Sequence, residues 1–325
     1  MDLLIVDTLE ADVMEWLRAR HPVIYAPELA ADPRAFRRAL YSVRAVIVPS
    51  SVTLDAQALH YAPVLQAVGR VSAGAENIDL EACARAEVEV VRSVTASADA
   101  EAEFMIGALL SLLRRVPVAS GDGIPVGREL GSATIGMIGM APAARSMTHM
   151  LGGFGTRVVG YDPSLHASDA VWERWQVAPL SLRDLLAQSD GVCVQLNYFS
   201  RYRGLLGERF LSFCKADQVL VSTAHSGLFD EAALAAALSS GRLAAVWLDS
   251  LEPGALDEGR PLHGIETLQV TPRVASTTRE SRLRSAWAVA RRIDEVLSER
   301  STGFRELRPL SPIAPLDLAT STWLP

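Results

Sequence analysis

The stretch that decides the fold is Ala133-Thr-Ile-Gly-Met-Ile-Gly-Met-Ala-Pro-Ala-Ala-Arg145. An apolar run suited to a buried strand leads into a glycine turn, and a proline suited to the first turn of a helix follows. Nucleotide-binding folds carry G-x-G-x-x-G at this place, because its glycines make the turn, admit a pyrophosphate and pack helix on strand. Gly139 fills the first of these positions, but Ala141 and Ala144 fill the other two. The stretch therefore predicts a Rossmann domain with an altered nucleotide loop.

The altered loop leaves two interpretations open. Ala141 places a methyl group where a phosphate comes closest, and Pro142 lacks the N–H that could donate to it. Asp162, in Val158-Val-Gly-Tyr-Asp-Pro163, ends a later predicted strand 23 residues after Gly139. An acidic side chain there accepts hydrogen bonds from the adenosine ribose and repels a 2′-phosphate, which favours NAD over NADP. Either the loop binds NAD, or the cofactor site has decayed and Asp162 only begins a turn.

The same alternation of strand and helix extends in both directions from this stretch. Short runs rich in Val, Ile and Leu alternate with amphipathic helical patterns, which predicts parallel sheets covered on both faces. A second series, of six predicted strands, begins at Ala133, and a helix over Thr277–Ser298 returns the chain to the first unit. We expect an α/β protein with two doubly wound parallel-sheet domains. These are a flavodoxin-like substrate domain (1–98 and 285–325) and a Rossmann domain (99–284).

Composition excludes several classes of function. The net charge of −7 argues against nucleic-acid binding, and no apolar run approaches the roughly 18 residues that span a bilayer. The first residues, Met1–Asp7, lack the basic charge of a signal peptide, and three scattered cysteines do not make a zinc site. We expect a cytoplasmic protein with no metal and no membrane or nucleic-acid partner. Its proline-rich tail from Thr302 is predicted to be extended.

Four further segments have the order and spacing of one known family. They are Gly69-Arg-Val-Ser-Ala-Gly-Ala-Glu-Asn-Ile-Asp79, Val219-Leu-Val-Ser-Thr-Ala-His-Ser-Gly-Leu-Phe-Asp-Glu231, Leu248-Asp-Ser-Leu-Glu-Pro253 and Val270-Thr-Pro-Arg-Val-Ala-Ser276. With these segments the chain resembles the D-2-hydroxyacid dehydrogenase family (D-isomer specific) from about Leu65 to Leu297, as a divergent member. The resemblance implies an oxidoreductase that uses NAD and a small 2-hydroxy or 2-oxo acid. It also implies a homodimer, formed through helices such as Asp99–Arg115.

The resemblance further implies which residues bind the ligands. Backbone amides of the first segment would hold the substrate carboxylate, at Ser72, Ala73 and Gly74. Cofactor contacts would come from the nucleotide loop and from the ends of later strands, at Gly139, Ala141, Pro142, Ala143, Asp162, Thr223 and Asp249. The last of these corresponds to the family's contact with the nicotinamide carboxamide.

Two catalytic positions carry each other's residue types. The family presents an arginine that grips the 2-oxo acid where this chain has His225, and a histidine that passes the proton where it has Arg273. Glu252 matches the glutamate that tunes the family's histidine. Histidine suits proton transfer near neutral pH, whereas arginine is always protonated and cannot replace it. We expect Glu252 to face Arg273 and to form a fixed ion pair with it.

Three hypotheses for the function follow. In the first, His225 gives the proton to the carbonyl oxygen and Arg273 anchors an anionic substrate. In the second, hydride chemistry is lost and the cleft carries out non-redox acid–base work on another acid. In the third, the protein is a pseudoenzyme with a binding or regulatory role, in which the pair of Arg273 and Glu252 only joins two loops.

The segment Cys193-Val-Gln-Leu-Asn-Tyr198 also departs from the family, which usually has histidine and proline in place of Gln195 and Asn197. Tyr198, Phe199 and Tyr202 add aromatic bulk to a loop that the resemblance puts beside the nicotinamide. These residues either reshape a substrate pocket or belong to a surface loop whose rings lie along apolar neighbours.

Overall fold

The computed structural model describes residues 2–72 and 74–299. Ala73 of the predicted substrate loop and the tail from Thr302 lie outside the described residues. The chain divides into two compact units. Unit 1 takes its described residues from Met1–Ser93 and Ser285–Pro325, and unit 2 is Val94–Arg284.

Unit 1 is built on a five-stranded parallel sheet with the order β2-β1-β3-β4-β5. Its strands are β1 (Leu3–Ile5), β2 (Val23–Tyr25), β3 (Ala45–Ile47), β4 (Ala67–Arg70) and β5 (Glu89–Arg92). The helices between them are α1 (Ala11–Arg18), α2 (Pro33–Ala39), α3 (Ala56–His60) and α4 (Leu80–Arg85). An aspartate carboxylate accepts backbone N–H groups at the start of three of these helices, which fixes where each begins; these are Asp32, Asp55 and Asp79. The order of the strands is that of flavodoxin-like folds.

Unit 2 holds a seven-stranded parallel sheet with the order β10-β9-β8-β11-β12-β13-β14. Its strands are β8 (Thr134–Ile138), β9 (Arg157–Tyr161), β10 (Ala178–Pro179), β11 (Gly191–Val194), β12 (Val219–Ser222), β13 (Ala245–Leu248) and β14 (Leu268–Val270). An antiparallel hairpin precedes the sheet, formed by β6 (Val118–Ala119) and β7 (Pro125–Val126). The helices are α5 (Ala98–Arg115), α6 (Pro142–Phe154), α7 (Ala170–Arg174), α8 (Leu182–Gln188), α9 (Glu208–Leu211), α10 (Glu231–Ser239) and α11 (Arg279–Glu299), and the boundary between the units falls within α11.

The α/β class with two parallel sheets is confirmed, and the count of strands in the second sheet is corrected. The sequence predicted six strands where the structure has seven, because β10 contains only two residues and gives no periodic pattern. The short helix α7 and the β6–β7 hairpin were not predicted for the same reason. In the part of the chain that the structure describes, no helix combines the length and apolar character needed to cross a bilayer.

The register of the second sheet aligns the ends of five neighbouring strands. Ile138, Val194, Ser222, Leu248 and Val270 pair in sequence across β8, β11, β12, β13 and β14. The chain leaves β8 towards β9 and β10 and then returns on the other side as β11, so β8 and β11 flank a topological switch point. Ligands of open parallel sheets bind beyond the carboxyl ends of the strands at such a point.

Candidate active site

The residues that directly follow the aligned strand ends form a row at this edge of the second sheet. They are Gly139, Gln195, Thr223, Asp249 and Thr271. Side chains alternate between the faces of a sheet, so the members of this row share the face that α5 covers. The Thr223 hydroxyl accordingly lies 3.9 Å from the Met105 sulfur of α5.

Gly139 is required by the packing of the nucleotide loop. Its φ of +95° lies in the left-handed region, and a Cβ atom there would stand 2.6 Å from the backbone of Leu196. Ala141 is the N-cap residue of α6 and Pro142 is its first residue. The Ala144 N–H bonds to the Ala141 oxygen. Pro142 has no N–H, so the N–H groups of Ala141 and Ala143 are the backbone donors that the start of α6 leaves without a partner among the described residues.

Asp162 connects the end of β9 to the nucleotide loop. Its Oδ2 accepts the Met140 N–H at 2.8 Å, and its Oδ1 accepts both the N–H and the hydroxyl of Ser164, at 2.8 and 2.6 Å. A carboxylate offers about four acceptor positions, so three protein bonds leave about one for a ligand. The Met140 N–H, in contrast, is already used within the protein.

A cavity of about 900 Å³ adjoins the same loop at Met140 and Pro142. Cationic or titratable side chains line it on α6 and at the end of α7: Arg145, His149 and Arg174. The sequence interpretation did not single out Arg145. The signal for it was its position directly after Ala144, which occupies the third glycine position of the motif.

Gln195 is buried without hydrogen-bond partners for its side chain. It is 5% exposed, and among the described residues neither its amide nitrogen nor its amide oxygen finds a partner. Its backbone lies directly against Gly139, since a Cβ on that glycine would be 2.9 Å from the Gln195 carbonyl carbon. Buried amides are rarely left unpaired in native proteins, so Gln195 makes the switch point a candidate site for a polar ligand.

Asp249 is 4% exposed and organises the loop that carries Arg273. Its Oδ1 accepts the Thr271 hydroxyl at 2.6 Å and the Val274 N–H at 2.9 Å, and its Oδ2 accepts the Ala275 N–H at 2.9 Å. The Arg273 N–H donates to the Asp249 backbone oxygen at 2.7 Å. The predicted cofactor residue is therefore also the anchor of the β14–α11 loop.

His225, in the loop after β12, contacts three other residues. Its Nδ1 accepts the Gly227 N–H at 3.0 Å, and its Nε2 lies 3.3 Å from Glu252 Oε1. The Tyr198 ring stacks on the imidazole with centroids 4.4 Å apart and planes 17° apart. Because Nδ1 is an acceptor, the ring proton of neutral His225 is on Nε2, directed at Glu252. His225 keeps 38% of its side chain exposed and Glu252 keeps 56%.

The expected ion pair between Glu252 and Arg273 is wrong. Glu252 pairs with His225, and within residues 2–72 and 74–299 no ion pair joins it to Arg273. The physical reason is local. Gly227 holds Nδ1 and so turns Nε2 to Glu252, while Arg273 has a left-handed backbone with φ +57° on the loop tied down by Asp249.

Arg273 nevertheless shares a cavity with Glu252. Both line a space of about 530 Å³ between the segment after β13 and the segment after β14. Arg273 is exposed, and its guanidinium makes no hydrogen bond or ion pair with any other described residue. A cation without a partner among the described residues therefore lines the same cavity as Glu252.

A second carboxyl group, which the sequence interpretation did not identify, lies near the row. Burial raises the pKa of Glu101 in the first turn of α5. The Ser97 hydroxyl, which donates to Glu101 at 2.7 Å, opposes this rise, and the negative charge of Asp249 adds to it. In the sequence, Glu101 is visible only as an acidic residue in the alanine-rich start of a helix. Its proximity to Asp249, which follows β13, is apparent only in the structure.

The aromatic loop after β11 divides into two parts. Tyr198 packs on His225, whereas Phe199 and Tyr202 meet edge to face at 6.0 Å. The Arg201 guanidinium lies 4.7 Å from the centroid of each of these two rings. The loop thus holds the Tyr198 ring against His225. Three residues further along the chain, it holds the Arg201 guanidinium against two other rings.

The predicted substrate loop belongs to unit 1. The Ser93 N–H donates to the Ser72 carbonyl at 3.1 Å, and the Ser72 hydroxyl is buried with no partner among the described atoms. The Glu76 carboxylate folds against Gly74, where an added Cβ would lie 2.5 Å from Glu76 Oε2. The negative charge of this nearby carboxylate opposes the binding of an anion at the Gly74 amide.

The cysteines do not offer a nucleophile. Burial raises the pKa of the Cys83 thiol to about 11 and that of Cys214 to about 12, and it also raises the pKa of Cys193. Thiols held in the protonated state are poor nucleophiles and metal ligands. No group of side chains suited to a metal ion occurs in the described portion of the chain.

Comparison with known proteins gives relatives over most of the chain. An (S)-sulfolactate dehydrogenase from Chromohalobacter salexigens is 28% identical over 308 residues, which cover 92% of this chain and 99% of the relative. A D-3-phosphoglycerate dehydrogenase from Mycobacterium bovis is 32% identical over 254 residues. These cover 76% of this chain and 48% of that protein, so the chain spans about half of its length.

Solved structures agree with the fold. A protein from Thermus thermophilus superposes with a TM-score of 0.75 at 25% identity, covering 92% of this chain and 97% of its own. A D-lactate dehydrogenase from Aquifex aeolicus has the same fold, with a TM-score of 0.72 at 19% identity, covering 96% of this chain and 100% of its own. Residues 113–275 match the model of the D-isomer specific 2-hydroxyacid dehydrogenase, NAD binding domain. The chain therefore belongs to the D-isomer specific 2-hydroxyacid dehydrogenase family of NAD-dependent oxidoreductases.

Proposed function

We propose that this protein interconverts a small 2-oxo acid and its 2-hydroxy acid with NAD as cofactor, and that His225 and Arg273 have exchanged roles. The observation that carries the proposal is the contact between His225 Nε2 and Glu252 Oε1 at 3.3 Å, with Arg273 left unpaired. Unit 2 would be the NAD-binding domain. Unit 1, with the loop 69–79, would be the substrate domain.

The residues at the switch point fit a dinucleotide. Gly139 lets the loop pack against the backbone of Leu196, the N–H groups of Ala141 and Ala143 are left as donors, and Gln195 presents an amide without a partner. Asp162 keeps about one acceptor position for a ribose hydroxyl. Arg145, which lines the adjoining cavity, supplies positive charge near a loop that has lost backbone donors. NAD bound here would supply the hydride acceptor or donor.

His225 and Glu252 are proposed to handle the proton. Reduction of a 2-oxo acid adds a hydride to the carbonyl carbon and one proton to its oxygen, so each turnover takes one proton from the protein or solvent. In the arrangement described, the pair holds one proton, on Nε2 and directed at Oε1. Uptake of a second proton from solvent would make the pair a proton donor. Transfer of one proton from the pair to the substrate oxygen would then restore the one-proton state.

Arg273 is proposed to anchor the substrate carboxylate. A guanidinium binds a carboxylate through two parallel hydrogen bonds and stays charged at every working pH. The exposed Arg273 side chain has no competing partner among the described residues, and it lines the 530 Å³ cavity together with Glu252. A small acid bound there would have its carboxylate at Arg273 and its carbonyl oxygen near the acid–base pair.

We also infer a homodimer formed through unit 2. Large apolar side chains stay exposed on α5, on the β6–β7 hairpin and at the end of α6; they are Leu110, Ile124, Val126 and Phe154. Exposed apolar groups of this kind are typical of protein–protein contacts. Sedimentation equilibrium should give twice the chain mass, and the mass of a single chain would refute the inference.

A second candidate function is a non-catalytic homologue with a binding or regulatory role. The loop favours it in one respect: Pro142 provides no N–H, and the Met140 N–H is already bonded to Asp162. Such a loop would hold a pyrophosphate through fewer backbone donors than a loop with all three glycines.

Calorimetric titration with NADH and then NADPH separates the two candidates, followed by a screen of 2-oxo acids that includes the oxidised form of sulfolactate. The dehydrogenase proposal expects NADH to bind at least about tenfold more tightly than NADPH, because Asp162 repels a 2′-phosphate. It also expects NADH to be consumed with at least one acid. No binding of either nucleotide would contradict it and favour the second candidate. Turnover of an acid without any nicotinamide would support a non-redox acid–base enzyme.

A further inference from the structure

The imidazole of His225 is enclosed on three sides by groups that define its orientation. Gly227 donates its N–H to Nδ1, Glu252 lies at Nε2, and the Tyr198 ring covers one face at 4.4 Å. The His225 side chain keeps 38% of its surface exposed, so part of the imidazole remains open to a ligand.

Tyr198 and Gly227 act on the ring together. A Cβ added to Gly227 would lie 3.0 Å from His225 Nδ1 and 3.0 Å from the Tyr198 ring carbon Cε2. The glycine thus lets the tyrosine ring and the amide meet the imidazole at the same time. The 3-10 turn Ser226–Leu228, whose N-cap residue is His225, fixes the direction of the Gly227 N–H.

We propose that Tyr198 is the positioning residue of His225. Its ring holds the imidazole in the plane in which Nδ1 faces the Gly227 N–H and Nε2 faces Glu252. Without the stacked ring, the imidazole can rotate about its bond to Cβ, both contacts are lost, and the Nδ1–H and Nε2–H tautomers mix. The importance of Nε2 for proton transfer rests on the proposed function, whereas the tautomer itself does not.

The tautomer can be measured without substrate or cofactor. The full chain, labelled with ¹⁵N in its six histidines, gives ring-nitrogen resonances that distinguish a protonated from an unprotonated nitrogen, and His225→Gln assigns the His225 signals. At a pH where the ring is neutral, the wild type and Tyr198→Phe should show His225 as the Nε2–H form. Tyr198→Leu should add a measurable Nδ1–H form.

Turnover supplies the second readout once a substrate is found. Tyr198→Leu should lower kcat about two- to tenfold, the rate equivalent of one stacked ring pair, and should leave KM within about twofold. Tyr198→Phe keeps the ring and should therefore keep the wild-type kcat. Phe210→Leu is the matched control, because Phe210 packs against the same apolar cluster as Tyr198 and its ring contact is with Arg209.

The outcomes separate the two claims. An unchanged His225 tautomer in a folded Tyr198→Leu variant would overturn the positioning role, as would a Phe variant that behaves like the Leu variant. If the wild-type protein turns over no 2-oxo acid while Tyr198→Leu shows the expected tautomer change, only the proposed function is contradicted.

Discussion

Asp249 is expected to be the main stabiliser of the loop that presents Arg273, and its substitution tests this quantitatively. The carboxylate is buried and accepts three hydrogen bonds, from the Thr271 hydroxyl and from the N–H groups of Val274 and Ala275. Hydrogen bonds to a charged acceptor contribute about 1.5–3 kcal/mol each. Removing all three in Asp249→Ala should therefore destabilise the loop by at least about 4.5 kcal/mol.

Asp249→Asn should cost less, for a geometric reason. Oδ1 accepts two of the bonds and Oδ2 accepts one, from Ala275. An asparagine that keeps its oxygen at the Oδ1 position retains the first two and turns its amide group towards the Ala275 N–H. Loss of one charge-assisted bond to a buried donor should cost about 2 kcal/mol.

Native-state hydrogen exchange is the suitable assay, because a chain with two compact units need not unfold in one step. A local cost of about 2 kcal/mol corresponds to roughly thirtyfold faster exchange. Acceleration of this size should appear at the Ala275 amide in Asp249→Asn, and a larger acceleration should appear at both Val274 and Ala275 in Asp249→Ala. Glu266→Gln, an exposed change just before β14, is the control. Unchanged exchange at both amides in Asp249→Ala would refute the reasoning.

Three further predictions concern the same edge of the sheet. Gln195→Met should raise the free energy of unfolding of the ligand-free protein by about 1 kcal/mol, because it removes an unpaired buried amide. It should also weaken NADH binding in calorimetry; an affinity equal to that of the wild type would show that the amide meets no ligand. Arg273→Gly should be about 1 kcal/mol more stable to denaturant than Arg273→Ala, because only glycine adopts φ +57° without strain; equal stabilities would contradict this. Glu101→Gln should stabilise the protein at neutral pH, because the raised pKa of Glu101 means that its ionisation opposes folding; thermal unfolding should show the gain disappearing as the pH falls through that pKa to the carboxyl's ordinary range. A gain that grows at low pH would reverse the assigned sign.

The fold class and family membership could be predicted because their signals are local and repeated. Short apolar strands at regular spacing, such as β8 and β11, indicate a parallel sheet even where the nucleotide loop has lost two glycines. The segments around His225 and Glu252 retain the family's order along the chain. Both predictions are confirmed by the seven-stranded sheet and by the match over residues 113–275.

The pairing within the site could not be predicted, because it depends on backbone directions that residue types do not determine. The pattern of residues gave Arg273 as the partner of Glu252, but the positive φ of Arg273 and the Gly227 N–H at Nδ1 bring His225 to that carboxylate instead. The burial of Gln195 without a partner arises from the register of β8 and β11 and is likewise absent from any local pattern.

The separate effects of two substitutions on kcat and KM test the exchange of roles most directly. With NADH and the best 2-oxo acid, His225→Gln should lower kcat at least about a hundredfold and leave KM nearly unchanged, because it removes the proton donor and can still accept the Gly227 N–H. Arg273→Ala should instead raise KM by about tenfold to a hundredfold, the cost of one lost charge-assisted anchor. A His225→Gln enzyme with wild-type kcat, or an Arg273→Ala enzyme with wild-type KM, would contradict the account.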